Sequence, residues 1–263
     1  MTALLTIILP FFNEQGWIGR TIDSLVAQND ERFLLLLIDN GSTDGGAAEA
    51  AIHIAALGDR ARILSCPTPG KINALAAGLA QVDTPLVATC DADTIYPSDY
   101  VRRIIALFGH HDGAAAVMAI DLYAPAEDMR SQRRIAFILR KGRRFATKCH
   151  AGGYAQAFRT AALRAGGGFD AARWPYVLED HEIVHRIMRH GRVVYHPDHV
   201  CFPSERRVSR DAVSWTRAER LLYRYLPGRA LDWYFYHFLG RRLAARNSMG
   251  VALRNKDWAS PSA

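Results

Sequence analysis

Four short, mostly apolar runs, "LLTIILP", "FLLLLID", "ARILSC" and "PLVATC", recur through the first hundred residues. A strand turns successive side chains to opposite faces, so a run that is apolar almost throughout must be covered on both sides. The intervening segments supply the cover. "GWIGRTIDSLVAQ" places Ile18, Ile22, Leu25 and Val26 at helical spacing, and "GAAEAAIHIAAL" and "KINALAAGLAQV" read as further helices. Strand and helix in alternation specify a mainly parallel sheet flanked by helices, an α/β fold. In such sheets ligands bind beyond the carboxyl ends of the strands.

The residues at those ends are polar. Asn13 and Glu14 follow the first run, Asp39 and Asn40 the second, and Asp91 and Asp93 the fourth. In extended chain alternate residues share a face, so Asp91 and Asp93 can point the same way. Two such carboxylates repel, and one pKa rises unless a cation sits between them. Hard ions such as Mg²⁺ take carboxylate oxygens and complete their shells with water and substrate phosphates. The pair therefore asks for a metal, and the metal for a phosphate. An Asp-rich turn without a role is the plain alternative, because aspartate is common in turns.

After residue 100 the rhythm loosens. "GAAAVMAIDLY" reads as a strand, residues 127–148 as a basic helical or loop stretch, and "GGYAQAFRTAALRAGGGFD" as glycine-rich with a short helix inside it. "EDHEIVHRIMRHG" is a helix and "RVVYHPDHVCFP" a further strand. Without repeats or a low-complexity linker, residues 1–205 are expected to form one domain of two abutting halves, 1–100 and 101–205, and 206–263 a basic, aromatic helical extension.

Composition narrows the class. A chain 49% hydrophobic and 22% charged is an ordinary globular one. No apolar run nears the roughly 18 residues of a membrane span. "TALLTIILPFF" lacks a basic leader and reads as a first strand. Cys66, Cys90, Cys149 and Cys201 form no CxxC pair, which fits a reducing cytosol. Between Arg206 and Lys256 twelve Lys/Arg face three Asp/Glu, a balance of +9 against +7 for the whole chain, so the remainder sums to −2. That balance argues against nucleic acid as substrate.

With these clusters in place, the chain resembles the inverting family 2 glycosyltransferases of the GT-A fold. The matching stretches are "ILPFFNE", "LLIDNGSTDG", "GKINALAAGL", "CDADT", "GGGFD" and "LEDHEIVHRIMRHG", in the family's order across about residues 5–200. The resemblance implies a nucleoside-diphosphate sugar donor, with UDP, GDP or dTDP as the nucleotide, and makes 1–205 the catalytic domain, with 1–100 binding the nucleotide sugar and 101–205 the acceptor. By it Pro10, Asn13 and Glu14 line the nucleotide pocket, and Asp39 holds the base or ribose. Lys71 approaches the diphosphate, and Asp93 with Asp91 holds Mg²⁺ or Mn²⁺ against it. Asp180 is the general base that takes the acceptor's proton. Each role has a structural rival: a turn cap for Asp39, a solvated helix-opening lysine for Lys71, and helix N-terminal capping for Glu179 and Asp180.

Two departures from the family pattern stand out. The place of a histidine metal ligand falls on Pro203, and "SERR" offers Ser204, Arg206 and Arg207 to neutralise the diphosphate instead. The QxxRW of processive synthases is missing, so transfer of a single sugar is expected. A nucleotidyltransferase of related fold and an inactive membrane or scaffold protein remain open as alternatives. The resemblance further implies a lipid-linked acceptor, glycolipid or cell-surface polysaccharide assembly, and a cytoplasmic location at the inner face of the membrane. Arginines interleave with aromatics from Trp215 to Arg242. This tail is expected to bind a membrane surface, pack on the catalytic domain, or form a homodimer.

Overall fold

The computed structural model describes residues 2–205 and 215–255. Strands β1 (Leu5–Phe11), β2 (Phe33–Asp39), β3 (Ala61–Ser65) and β4 (Leu86–Thr89) pair in parallel in the order β3-β2-β1-β4. All seven residues of β1 are buried. Helices α1 (Ile18–Val26), α2 (Gly46–Ile54) and α3 (Lys71–Leu79) connect them. Helix α1 turns Ile18, Ile22 and Leu25 inward, the stripe expected from their spacing. Helix α3 packs unusually close to β1, since a Cβ on Gly78 would lie 2.5 Å from Ile8 Cγ2.

The second half adds β5 (Thr94–Ile95), α4 (Tyr100–His110), β6 (Ala114–Asp121), α5 (Met129–Arg144), β7 (Gln156–Arg159), α6 (Thr160–Ala165), α7 (Glu179–Ile187) and β8 (Arg192–Pro203). The sheet continues from β4 as β7-β6-β8-β5. Strand β7 runs antiparallel to both β4 and β6, and β5 antiparallel to β8, so the sheet is mainly parallel with one reversed strand near its middle and another at its edge. The sequence reading placed a glycine-rich stretch with one helix here and missed β7. Four residues show no alternation of their own, and Leu86↔Arg159 through Thr89↔Gln156 pairing defines the strand.

The extension comprises α8 (Arg217–Tyr225), a π-helical turn (Trp233–Leu239) and α9 (Gly240–Ala245). It closes a second core in which Tyr223, Tyr234, Phe235 and Leu239 pack with Ile72, Trp174 and Val177. Most of its aromatics thus pack inward, on the preceding part of the chain. Backbone bonds seal the contact: Val177 N donates to Ser248 O (3.1 Å) and Gly250 N to Pro175 O (2.9 Å).

Glu219 organises the extension from within. It is fully buried and caps α8 with Thr216, and Arg242 Nε and Arg246 Nη1 each donate to its Oε1 at 2.7 Å. Burial raises the Glu219 pKa, but hydrogen bonds from Arg246 and Arg242 outweigh it and hold it at about 2. A folded-state pKa below the ordinary value means stabilisation that is present above about pH 4 and lost as pH falls through that range. Both arginines keep solvent contact, so Glu219→Ala should cost about 2 kcal/mol. Thermal melts at neutral pH should show the loss, and the gap to wild type should close in acid.

Candidate active site

The polar strand ends are joined into one rim by side-chain bonds to backbone. Asn13 adopts left-handed backbone (φ 53°), a conformation asparagine tolerates. Its Oδ1 accepts from Thr43 N at 2.8 Å, and its N–H donates to Ser42 Oγ at 3.2 Å, tying the loop after β1 to the loop after β2. Asp39 Oδ1 accepts from Ser42 N at 2.9 Å. The turn-capping role therefore exists for that oxygen, and Oδ2 accepts no hydrogen bond among the described residues. Pro10 is buried within β1 opposite Ile38, and Glu14 is buried with its carbonyl accepting from Trp17 N and Ile18 N where α1 opens.

Asn40 carries the link onward. Its Nδ2 donates to the carbonyls of Cys66 (2.9 Å) and Thr68 (2.8 Å), and its Oδ1 accepts from Gly70 N at 2.7 Å. Gly70 stands at φ 119°, which a side chain would oppose. This turn launches α3 and sets Lys71 at its first position.

Lys71 Nζ donates to Asp91 Oδ1 at 2.5 Å. Asp91 is held by its backbone as well: its N–H donates to Tyr96 Oη (3.0 Å), and that hydroxyl donates to the Tyr154 carbonyl (3.0 Å). A Cβ on Gly153 would lie 3.4 Å from Lys71 Nζ and 3.6 Å from Asp180 Cβ. Lys71, Asp91 and Asp180 thus converge around a residue with no side chain.

Asp93 lies one strand-end further out. Ser204 Oγ donates to its Oδ2 (3.1 Å), and Ser204 N to its carbonyl (2.9 Å). Ser204, offered by the sequence beside the diphosphate, is thus tied to Asp93. Arg206 and Arg207 lie outside the described residues. His199 is wholly buried and stacked on Tyr100 at 4.9 Å between ring centroids. Among the described residues no three His, Cys, Asp or Glu side chains gather around one point. Asp91 and Asp93 offer hard oxygen donors alone, a set that suits Mg²⁺ or Mn²⁺ completed by water and phosphate.

Helix α7 opens with Glu179 and Asp180 immediately after Leu178, which holds left-handed backbone at φ 67°. A leucine there costs roughly 1–2 kcal/mol, and such strain persists where surrounding structure imposes it. Asp180 Oδ1 accepts from His181 N at 2.8 Å, and Gln156 Nε2 donates to the Asp180 carbonyl at 3.2 Å. Burial raises the pKa of both carboxylates. For Glu179 the Asp180 charge adds to the rise, and for Asp180 the Lys71 ammonium opposes it. Both keep partial solvent exposure, so the rise is smaller than full burial would give. His181 lies against Trp215 and Tyr223, at 4.9 and 5.6 Å between ring centroids, and burial pushes its pKa down to about 3. It stays neutral.

Tyr96, Tyr154 and Gln156 escaped sequence reading as site residues. They carry no formal charge, and it is pairing of strands distant in sequence that brings them to the carboxylates.

The family model described as glycosyl transferase family 2 matches residues 6–167, more than half of the chain. An undecaprenyl-phosphate 4-deoxy-4-formamido-L-arabinose transferase of Sodalis glossinidius is 32% identical over 104 residues, covering 38% of this chain and 32% of that protein. The chain matches less than half the length of such curated relatives. A mannosyltransferase of Pyrobaculum calidifontis, solved with GDP-Man and Mn²⁺, superposes with a TM-score of 0.68 at 19% identity, over 97% of this chain and 74% of the other. S. aureus TarS 1–349 with UDP-GlcNAc superposes at 0.60 and 16% identity, over 97% and 76% of the two chains. These likenesses establish the GT-A fold, and the family match establishes kinship: the chain belongs to glycosyl transferase family 2 and is a glycosyltransferase.

Proposed function

We propose that this glycosyltransferase moves a single sugar from a nucleoside-diphosphate sugar to an acceptor hydroxyl, with inversion, in a metal-dependent reaction. The observation that carries the reading is the convergence of Lys71, Asp91 and Asp180 around Gly153. It brings one ammonium and two carboxylates together at the mouth of one sheet, the groups this reading needs. Asp39 Oδ2 holds the base or ribose, with Pro10, Asn13 and Glu14 shaping that part of the rim. Lys71, bonded to Asp91, presents its ammonium to the diphosphate as a point charge. Asp91 and Asp93 would hold Mg²⁺ or Mn²⁺, which when bound supplies positive charge to the leaving diphosphate.

Asp180 acts on the other face. Its carboxylate accepts the proton of the acceptor hydroxyl as that oxygen bonds to the anomeric carbon. The bond to the diphosphate breaks on the opposite side, and the configuration inverts. Gly153 leaves the space between Asp180 and Lys71 open for the reacting sugar. Without QxxRW, one sugar is added per cycle.

The donor nucleotide is UDP, GDP or dTDP; the structural neighbours hold donors of two different bases. The lipid-phosphate acceptor in the Sodalis relative's name supports a lipid-linked acceptor, in glycolipid or cell-surface polysaccharide assembly at the inner face of the cytoplasmic membrane.

Two variants test the assignments. Asp93→Ala should lose transfer and the metal dependence of nucleotide binding, read by isothermal titration of UDP, GDP and dTDP with and without Mn²⁺. Unchanged metal-dependent affinity would remove Asp93 from the metal site. Asp180→Asn should keep donor affinity while transfer falls by roughly 10² or more.

The pH profile adds a second reading of Asp180. The base works only when ionised, and its pKa is raised, so wild-type kcat/KM should climb with pH through an acid limb above the ordinary carboxylate range. That limb should be missing from the residual activity of Asp180→Asn. Near-normal turnover in the variant would shift the role to Glu179.

A further inference from the structure

We infer that α5 and α8 together form a docking surface for an anionic membrane. Helix α5 carries seven basic residues and no acidic one, a concentration masked by the near-neutral sum of the catalytic domain. Its inner side, with Ile135 and Ile138, packs on Ile120, Leu122 and Val200. Arg134 is neutralised there by Asp121 at 2.6 Å. Outward, Arg130, Arg133, Phe137, Arg140 and Arg144 follow one another at steps of three and four, so they form a single stripe along the helix. Among the described residues none of these arginines has an acidic partner. Phe137 is 37% exposed and Met129, at the helix start, 67% exposed.

Helix α8 extends the surface. Arg217 and Arg220 are exposed beside Leu221 and Tyr225, which are 54% and 67% exposed, while its one acidic residue, Glu219, is buried. The two helices meet where Phe145 packs edge-on to Tyr225 at 6.0 Å, and Lys148 Nζ donates to the Leu226 carbonyl at 2.8 Å. The Lys141 pKa is pushed down by burial first and then by Arg224, Arg134 and Arg220. Cations from both helices therefore crowd one another.

Soluble surfaces ordinarily mix both signs of charge. A face of one sign, interleaved with aromatic and aliphatic side chains, matches an interfacial helix whose arginines meet anionic headgroups while apolar side chains enter the acyl boundary. Nucleic acid would match the arginines but not Met129 and Leu221. Among the described residues no helix is long and apolar enough to span a bilayer, so the contact is to the surface.

The position relative to the carboxylates gives the surface its meaning. The chain leaving α5 runs through Lys148 and Cys149 to Gly153, beside Asp180, and Tyr223 of α8 lies against His181. A protein seated by this face would bring the base close to the headgroup layer. The docking surface stands on charge and shape alone; its service to a lipid-linked acceptor rests on the proposed function.

Flotation of the full chain with vesicles of phosphatidylcholine, alone or mixed with phosphatidylglycerol, tests the inference. Wild type should float with the anionic vesicles at low salt, stay down with the neutral ones, and release as salt rises. The triple variant Arg133→Glu/Arg140→Glu/Arg144→Glu should lose roughly tenfold or more of the bound fraction. Phe137→Ser/Leu221→Ser should weaken binding at unchanged charge. Thermal stabilisation by the preferred nucleoside diphosphate should be the same in all three proteins, which shows that the variants fold.

Wild type left in the soluble fraction with anionic vesicles, or a triple variant that floats equally well, overturns the inference. So does binding to soluble polyphosphate that the Ser variant matches while vesicle binding is also unchanged, since the apolar side chains would then play no part. A chain that floats but responds to no nucleoside diphosphate refutes the proposed function and keeps the docking surface.

Discussion

Burial of the parallel sheet on both faces is the constraint from which the rest follows. β1 has no exposed residue, so its polar neighbours in sequence can meet solvent and ligand only beyond its carboxyl end. The same holds for β2 and β4, and the parallel register of these strands brings Asn13, Asp39 and Asp91 to one edge. A sheet of alternating direction would have split them between two edges.

What that rim becomes depends on a few bonds that cross between loops. Asn40 fixes the turn that starts α3, and α3 delivers Lys71 to Asp91. Two aspartates one residue apart would repel at close quarters; the ammonium on Asp91 moderates that repulsion. Ser204, arriving on the chain after β8, does the same for Asp93 with a hydroxyl hydrogen bond. The same lysine opposes the rise in the Asp180 pKa. One cation thus serves two carboxylates, Asp91 and Asp180.

The C-terminal extension buttresses the segment that leads into α7. Trp174 and Val177 are enclosed by Tyr234, Phe235 and Leu239, and the Trp174 indole donates to the Val177 carbonyl at 3.0 Å. This packing imposes the left-handed Leu178 that turns the chain into Glu179 and Asp180. Loosening the extension should therefore be felt at Glu179 and Asp180 before it is felt in the sheet. Its outer side, free of that duty, joins α5 in the cationic face.

Sequence alone determined the alternation of strand and helix, the parallel first half, the rim of polar strand ends and the DxD pair, because each is written within a few neighbouring residues. Apolar runs and helical spacing are local signals, and they carry the family's motifs with them. Tertiary structure decided what local signals cannot encode. Strand β7 exists through its partners β4 and β6. Ser204 reaches Asp93 across more than a hundred residues of chain. The aromatics of the tail read equally well as membrane-facing or core-forming, since arginine and aromatic residues alternate in both settings, and packing against Trp174 settled most of them inward. Charge followed the same rule: its sum over the domain was legible from composition, but its gathering onto one face of α5 and α8 appeared only once the two helices were set side by side.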